Sequence, residues 1–208
     1  MIWWALIGAL AFLAGRRGEE HSHDSEDDSD ATPDEKAAGA EPVPIPPPGF
    51  EPLWPMPGVS REGKPKAGGR FGVARPLRGQ PKTRRHAGVD IGAPHLTSII
   101  APEDGAIIAT QGWQGDNAKA IMFRPFRKGA PLLLFGAVAP DSWPPVMLPL
   151  IRGMELAKVG MYPHGSTMLH LEAYRRDSTK TNKRWFYGKP APPELLDPTP
   201  YLDQMVAA

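Results

Sequence analysis

The sequence predicts an all-β domain of antiparallel strands and long loops, carried behind an apolar N-terminal run and a proline-rich linker. Three observations support this. The 208 residues include 26 prolines and 22 glycines, too many for a helical protein and suited to a loop-rich β fold. From about Phe71 the chain breaks into short apolar runs punctuated by Gly, Pro and Asp, several of them near-continuous and β-favouring. No segment of that region repeats its apolar residues at the ~3.6-residue period of a helix. A chain of this length has room for one domain of ordinary size plus appendages.

Residues 1–15 (MIWWALIGALAFLAG) are uncharged and apolar. Nothing after them in the sequence could cover such a helix as a core element, and Trp3 and Trp4 suit an interfacial belt. Residues 1–17 are therefore expected to form a membrane anchor helix, although the run is shorter than the ~20 residues of a full span. A cleaved signal peptide fits less well, because no Lys or Arg precedes the apolar run and no clean A-x-A site follows it. Arg16 and Arg17 lie on its C-terminal side, which by the positive-inside rule would put the rest of the chain in the cytoplasm.

Residues 18–64 read as a disordered linker. Glu19 to Asp30 is acidic, Ser-rich and too poor in apolar groups to pack. His21 and His23, in HSHD, either bind a metal loosely or belong to a solvated tail. Glu41 to Gly58 (EPVPIPPPGFEPLWPMPG) favours extended polyproline geometry and is expected to be a stiff spacer. The net charge of +1 conceals an asymmetry: the acidic tether leads into a basic stretch from Arg61 to Arg85 whose one acid is Glu62.

The domain is expected over residues 65–205. Its candidate strands are Ala87–Ile91, Ser98–Ala101, Ala106–Thr110, Ala120–Phe123, Leu132–Val138, Glu155–Val159 and Met168–Tyr174, forming two packed or folded-over sheets. Basic residues from Lys64 to Arg85 read as a solvated face or as contacts to anionic wall polymer or nucleic acid. The absence of regular aromatic interleaving argues against nucleic acid. Arg175, Arg176, Lys180, Lys183 and Arg184 read as a long surface loop closed by Trp185, Phe186 and Tyr187.

There are no cysteines, so any metal must sit on His and carboxylate ligands. The domain holds four histidines. His86 stands four residues before Asp90 in RRHAGVDIGAP, and His170 lies in the strand-like MLHLEAY. In that strand Met168, His170 and Glu172 would share one face and Leu169 and Leu171 the other. His86, Asp90 and His170 would supply the three protein ligands of a hydrolytic zinc site. A strand histidine packed in the core is the commoner meaning of such spacing.

The order of motifs adds to this. The stretch FGVARPLRGQPKTRRHAGVDIGAPHLTSIIAPEDGAIIA carries a Phe-Gly entry, His-x-Gly-x-Asp, an Ala after an apolar strand and a Gly opening the next. LLLFGAV, RGMELAKVGMYPHGSTMLHLEAY and DPTPYL follow in order. Together these blocks resemble the lysostaphin/LytM-type zinc peptidases over about two thirds of the chain. The resemblance implies an antiparallel β-sandwich or folded barrel, Zn2+ as cofactor, and hydrolysis of bacterial peptidoglycan peptides. It also implies His86, Asp90 and His170 as zinc ligands, and Glu172 suits a partner of a zinc-bound imidazole.

Two departures stand against the implied activity. The family's general-base histidine falls on Met168, whose thioether cannot take a proton. Its oxyanion-stabilising histidine falls on Ala137, with Phe135 in place of a tyrosine. Such losses typically cost ~10²–10⁴-fold and ~10²–10³-fold. His164, on the glycine loop before Met168, is the candidate substitute base, and His95 could line the groove. The expectation is a membrane-tethered, extracytoplasmic zinc-binding domain that acts on or binds peptidoglycan with impaired or non-standard catalysis. Alternatives are an active zinc endopeptidase using a substitute base, and a structural envelope or phage virion protein, in which case the membrane is the virion's. A partner hydrolase or envelope protein is a further expected contact.

Overall fold

The computed structural model describes residues 40–44, 46–60, 69–76, 82–113, 118–162, 167–179, 181 and 185–208. The expected anchor, the acidic stretch with His21 and His23, and His164 lie outside the described residues. Among the described residues, no helix is long and apolar enough to cross a membrane.

The protein is nearly all β. In chain order the strands are β1 (Glu41–Pro42), β2 (Ala74–Pro76), β3 (Lys82–Arg85), β4 (Val89–Gly92), β5 (Ser98–Ile100), β6 (Gly105–Gly112), β7 (Lys119–Pro125), β8 (Leu132–Val138), β9 (Pro149–Leu150), β10 (Glu155–Lys158), β11 (Met168–Tyr174), β12 (Trp185–Phe186) and β13 (Leu195–Asp197). Among the described residues one short helix, α1 (Thr199–Asp203), follows β13. The main sheet runs β1-β13-β11-β8-β7-β6-β9, with β4 pairing β11 off that path. Smaller sheets join β10 to β5 and run β12-β3-β2. Pairing within the main sheet is antiparallel except for β1 beside β13.

β8 explains why its sequence is apolar throughout. It lies between β7 and β11 and is buried on both faces. Leu133 and Phe135 join one core with Ile107, Ile121 and Phe123. Leu132 and Leu134 join a second with Tyr174 and Trp185. After Phe135 the alternation breaks, because Ala137 faces the second core and Val138 the first. The register against β7 shifts at the same place, pairing Lys119 with Val138 and Ile121 with Phe135, so β8 holds one extra residue. This is a β-bulge, and Ala137 within it has a φ of 60°, in the left-handed region.

The stretch expected to be a stiff spacer is part of the fold. β1 pairs with β13, and Val43 N–H donates to the Asp197 carbonyl. Further on, Trp54 N–H donates to Val206, while the carbonyls of Pro52 and Pro55 accept from Val206 and Ile100. Val43, Trp54 and Met56 are buried in the first core. The reason is physical. Proline removes a donor but keeps its carbonyl, so a proline-rich strip can accept along a sheet edge while its few large apolar side chains fill the core. Arg127 ties the strip down from the other side, lying 4.9 Å over the Phe50 ring while its guanidinium donates twice to the buried Glu103 carboxylate.

The basic stretch also holds more structure than a solvated loop: β2 and β3 come from it, and β12 pairs with β3 to bring Trp185 into the core. Arg175 and Arg176, expected in a surface loop, bind Glu41 and the backbone carbonyls of Pro125, Arg127 and Pro193.

Candidate metal centre

The pairing of β4 with β11 sets Asp90 directly opposite His170. His86 arrives four residues earlier, held by backbone hydrogen bonds between its own peptide and those of Gly72 and Val73. Gly88, between them, has a close-packing role: a Cβ there would lie 2.4 Å from the Leu171 carbonyl and 2.7 Å from the His170 ring. Only glycine lets this segment pass so near β11.

One ligand atom each from His86, Asp90 and His170 lies within 4.8 Å of the others, and all three residues are buried. His170 Nδ1 is 2.7 Å from Asp90 Oδ1 and 3.1 Å from His86 Nε2. The far side of each ring is engaged. His86 Nδ1–H donates to the Arg70 carbonyl at 2.9 Å, and His170 Nε2–H donates to Glu172 Oε1 at 2.9 Å. Tyr174 hydroxyl donates to the other Glu172 oxygen at 2.5 Å. These outer partners aim His86 Nε2 and His170 Nδ1 at a common point beside Asp90.

Charges in this cluster are coupled. Burial pulls the His170 imidazole down, but its hydrogen bonds to Asp90 and Glu172 outweigh burial and raise it to about 9. Burial lowers His86, with Asp90 opposing in part, so this ring is held neutral with its Nε2 lone pair facing inward. Burial would raise Asp90, yet hydrogen bonds from His170 and His86 hold it well below the usual carboxylate range. Without a metal, His170 Nδ1–H donates to Asp90 Oδ1, and the His86 Nε2 lone pair faces the same proton. Two imidazole nitrogens and a carboxylate oxygen, oriented by outer hydrogen bonds and lacking thiolates, form a donor set that fits zinc.

Three other side chains complete the surroundings. Arg75 Nη2 donates to Asp90 Oδ2 at 2.5 Å, engaging the oxygen that faces away from His170. Trp113 stacks beside His170 with ring centroids 4.9 Å apart and donates through Nε1–H to the Tyr162 hydroxyl at 2.9 Å. Gly136 makes room for Trp113, since a Cβ there would lie 2.7 Å from the indole. Sequence reasoning did not find Trp113 or Tyr162 and did not separate Arg75 from its basic neighbours. Each reaches the cluster by a side-chain contact rather than through a local motif: Arg75 to Asp90, Trp113 to the His170 ring, and Tyr162 through Trp113.

The remaining expected residues are placed as follows. Glu172 bonds His170 from behind. Met168 is half-buried opposite Gly92, one strand repeat from His170. Ala137 is fully buried in the bulge, and Phe135 packs on the other face of β8, 6.4 Å from the Phe123 ring. His95 is exposed on the turn after β4, apart from the three-residue cluster.

The chain matches no described protein family by sequence profile, and no curated protein matches it. Among solved structures it is similar to the catalytic domain of the antimicrobial peptidase lysostaphin from Staphylococcus simulans. That similarity has 16% identity and a TM-score of 0.48, covering 67% of this chain and 91% of that one. It is also similar to cbpa from L. salivarius REN, with 16% identity, a TM-score of 0.47, and 74% and 95% coverage. A putative peptidase M23 from Pseudomonas aeruginosa shows 19% identity and a TM-score of 0.42 over 76% of this chain, which spans 56% of that protein.

Proposed function

We propose that this chain is a membrane-tethered, LytM-type zinc-binding domain that engages peptides of bacterial peptidoglycan, with catalysis that is impaired or non-standard. The observation that carries this reading is the buried His86–Asp90–His170 cluster, whose inward ligand atoms lie within 4.8 Å of one another. The order of sequence motifs resembling the lysostaphin/LytM-type peptidases supports the same assignment. Zinc bound there would supply a Lewis acid and a water of lowered pKa. Glu172 and the Arg70 carbonyl would keep the two imidazoles oriented for it.

The side chains around the cluster favour holding a peptide over cutting it rapidly. Met168 can neither take nor give a proton. Burial raises the Tyr162 hydroxyl above its ordinary range, so at neutral pH it is a donor rather than a base. Arg75 likewise only donates. The site can therefore polarise and hold a carbonyl, while among its described residues the groups able to take a proton are the ligand set itself and Glu172, whose oxygens are already bonded to His170 and Tyr174.

The test is the zinc content of the purified full chain, measured together with hydrolysis of purified peptidoglycan with and without added zinc. One equivalent of zinc and slow or absent release of peptide ends is the expected result. Release of peptide ends at rates typical of a zinc peptidase would replace this reading with that of an active endopeptidase. Failure to take up zinc would sink the ligand assignment.

A further inference from the structure

β2 and β3 place two arginines directly opposite each other. Arg75 and Arg84 are register partners in an antiparallel pair, so their side chains leave the same face. That face is the one toward the metal cluster, because Arg75 reaches Asp90. Arg85, the next residue, projects the other way: it donates to the Gly72 carbonyl and lies over the Trp185 and Tyr187 rings. The Tyr162 hydroxyl is within electrostatic reach of Asp90, Arg75 and Arg84 together. Directly opposed like charges destabilise a strand pair, and a purely structural ladder would be served better by one arginine and a neutral or acidic partner. Each guanidinium presents its donors in a planar fork that matches the two oxygens of a carboxylate.

We propose that Arg75 and Arg84 form a carboxylate-recognition site beside the His86–Asp90–His170 cluster, selecting peptides that carry a free carboxylate next to the bond presented to the cluster. The inference rests on the peptide-binding reading of this site for the nature of the ligand. The arginine pair itself stands whether or not zinc is present. Tyr162 adds a neutral donor at the same mouth, its oxygen already accepting from Trp113 so that its own proton remains to be given. A carboxylate held there would meet two planar cations, a geometry suited to forked, charge-assisted hydrogen bonds. The carboxylate could be the C-terminus of the peptide or an acidic side chain, and the experiment separates them.

The full chain is titrated calorimetrically with N-acetyl-dialanine, with its C-terminal amide, and with N-acetyl-glutamyl-alanine amide, at low salt, with zinc content measured on the same samples. The free acid or the glutamyl amide is expected to bind at least about tenfold more tightly than the dialanine amide, the loss of one charge-assisted contact being ~1.4 kcal/mol. Whichever of the two binds tightly identifies the carboxylate as terminal or side-chain. In Arg84→Gln that preference should collapse toward unity with zinc content unchanged, and Arg84→Lys should restore part of it. Arg84 is the chosen variant because Arg75 touches a ligand carboxylate. Equal binding of all three peptides, no binding at millimolar concentration, or an undiminished preference in a folded Arg84→Gln protein would overturn the proposal. A chain that lacks zinc but keeps the preference would defeat the metal reading and leave this one standing.

Discussion

Asp90 and His170 face each other as register partners across β4 and β11, with the carboxylate Oδ1 2.7 Å from the imidazole Nδ1. Local strand pairing alone brings together two groups that are far apart in sequence. His86 joins them because Gly88 lets its segment pass against the His170 ring.

His86→Ala, His170→Ala and Asp90→Asn are each expected to abolish stoichiometric zinc, read by elemental analysis after dialysis. Glu172→Gln should retain zinc but weaken its affinity about 10–100-fold, the usual effect of losing the hydrogen bond behind a ligand histidine. Unchanged zinc affinity in Glu172→Gln would mean that this carboxylate serves packing alone.

The metal-free chain should lose stability on the alkaline side. His170 is raised in the folded protein to about 9, above the ordinary histidine value of 6.5. The stabilisation it contributes is complete below about pH 6.5 and disappears as pH rises through about 9. Asp90 is shifted the opposite way, so its contribution is present above the ordinary carboxylate range and is lost only as pH falls far into the acid. Thermal midpoints measured in chelator should fall by several degrees between pH 6.5 and 9.5, and this fall should be smaller in Glu172→Gln.

Met168→His is expected to raise peptide hydrolysis by a zinc-loaded chain, by ~10²-fold or more if the new imidazole reaches the metal-bound water. Met168 is half-buried at the end of β11, so the substitution adds no strain to a closed core. Ala137→His should instead lower the thermal midpoint, because residue 137 is fully buried and the larger ring would overfill the core there. Peptide-end release and thermal denaturation check the two halves separately.

Trp54→Ala and Met56→Ala should each cost ~2–5 kcal/mol, as for other large side chains removed from a core. Both are buried in the same cluster as Phe123 and Leu133. A chain beginning at residue 61 should show a similar or larger loss in chemical denaturation. A solvated spacer would give no change in any of the three.

What was legible in the sequence follows from the range of the interactions. β8 and β11 match their expected bounds because β8, buried on both faces, is apolar throughout, and β11 alternates apolar Leu169 and Leu171 with the polar His170 and Glu172, patterns that can be read locally. The grouping of His86, Asp90 and His170 was suggested by spacing and motif order, and both Asp90 and His170 lie on strands that were expected. The proline-rich strip was misread because its residues do favour extended, solvated geometry; only the edge left open at β13 and the space under Trp54 make a packed position better. β2, β3 and β12 escaped notice because all are short, β2 and β3 are rich in basic residues, and the three pair only with one another. Trp113 and Tyr162 meet by a direct hydrogen bond between residues distant in sequence, which no residue pattern announces.

The bulge in β8 also makes positions 168 and 137, where the resemblance would place histidines, unequal. At 168 the backbone is an ordinary strand and the side chain reaches partial solvent, so a proton-carrying group can be put back by one substitution. At 137 the extra residue in β8 has turned the chain into a left-handed conformation within a closed core, and the space beside the neighbouring Gly136 is already filled by the Trp113 indole. Restoring a histidine there would require deleting a residue and moving Trp113 as well. A histidine is thus admitted by a single substitution at one position and barred at the other.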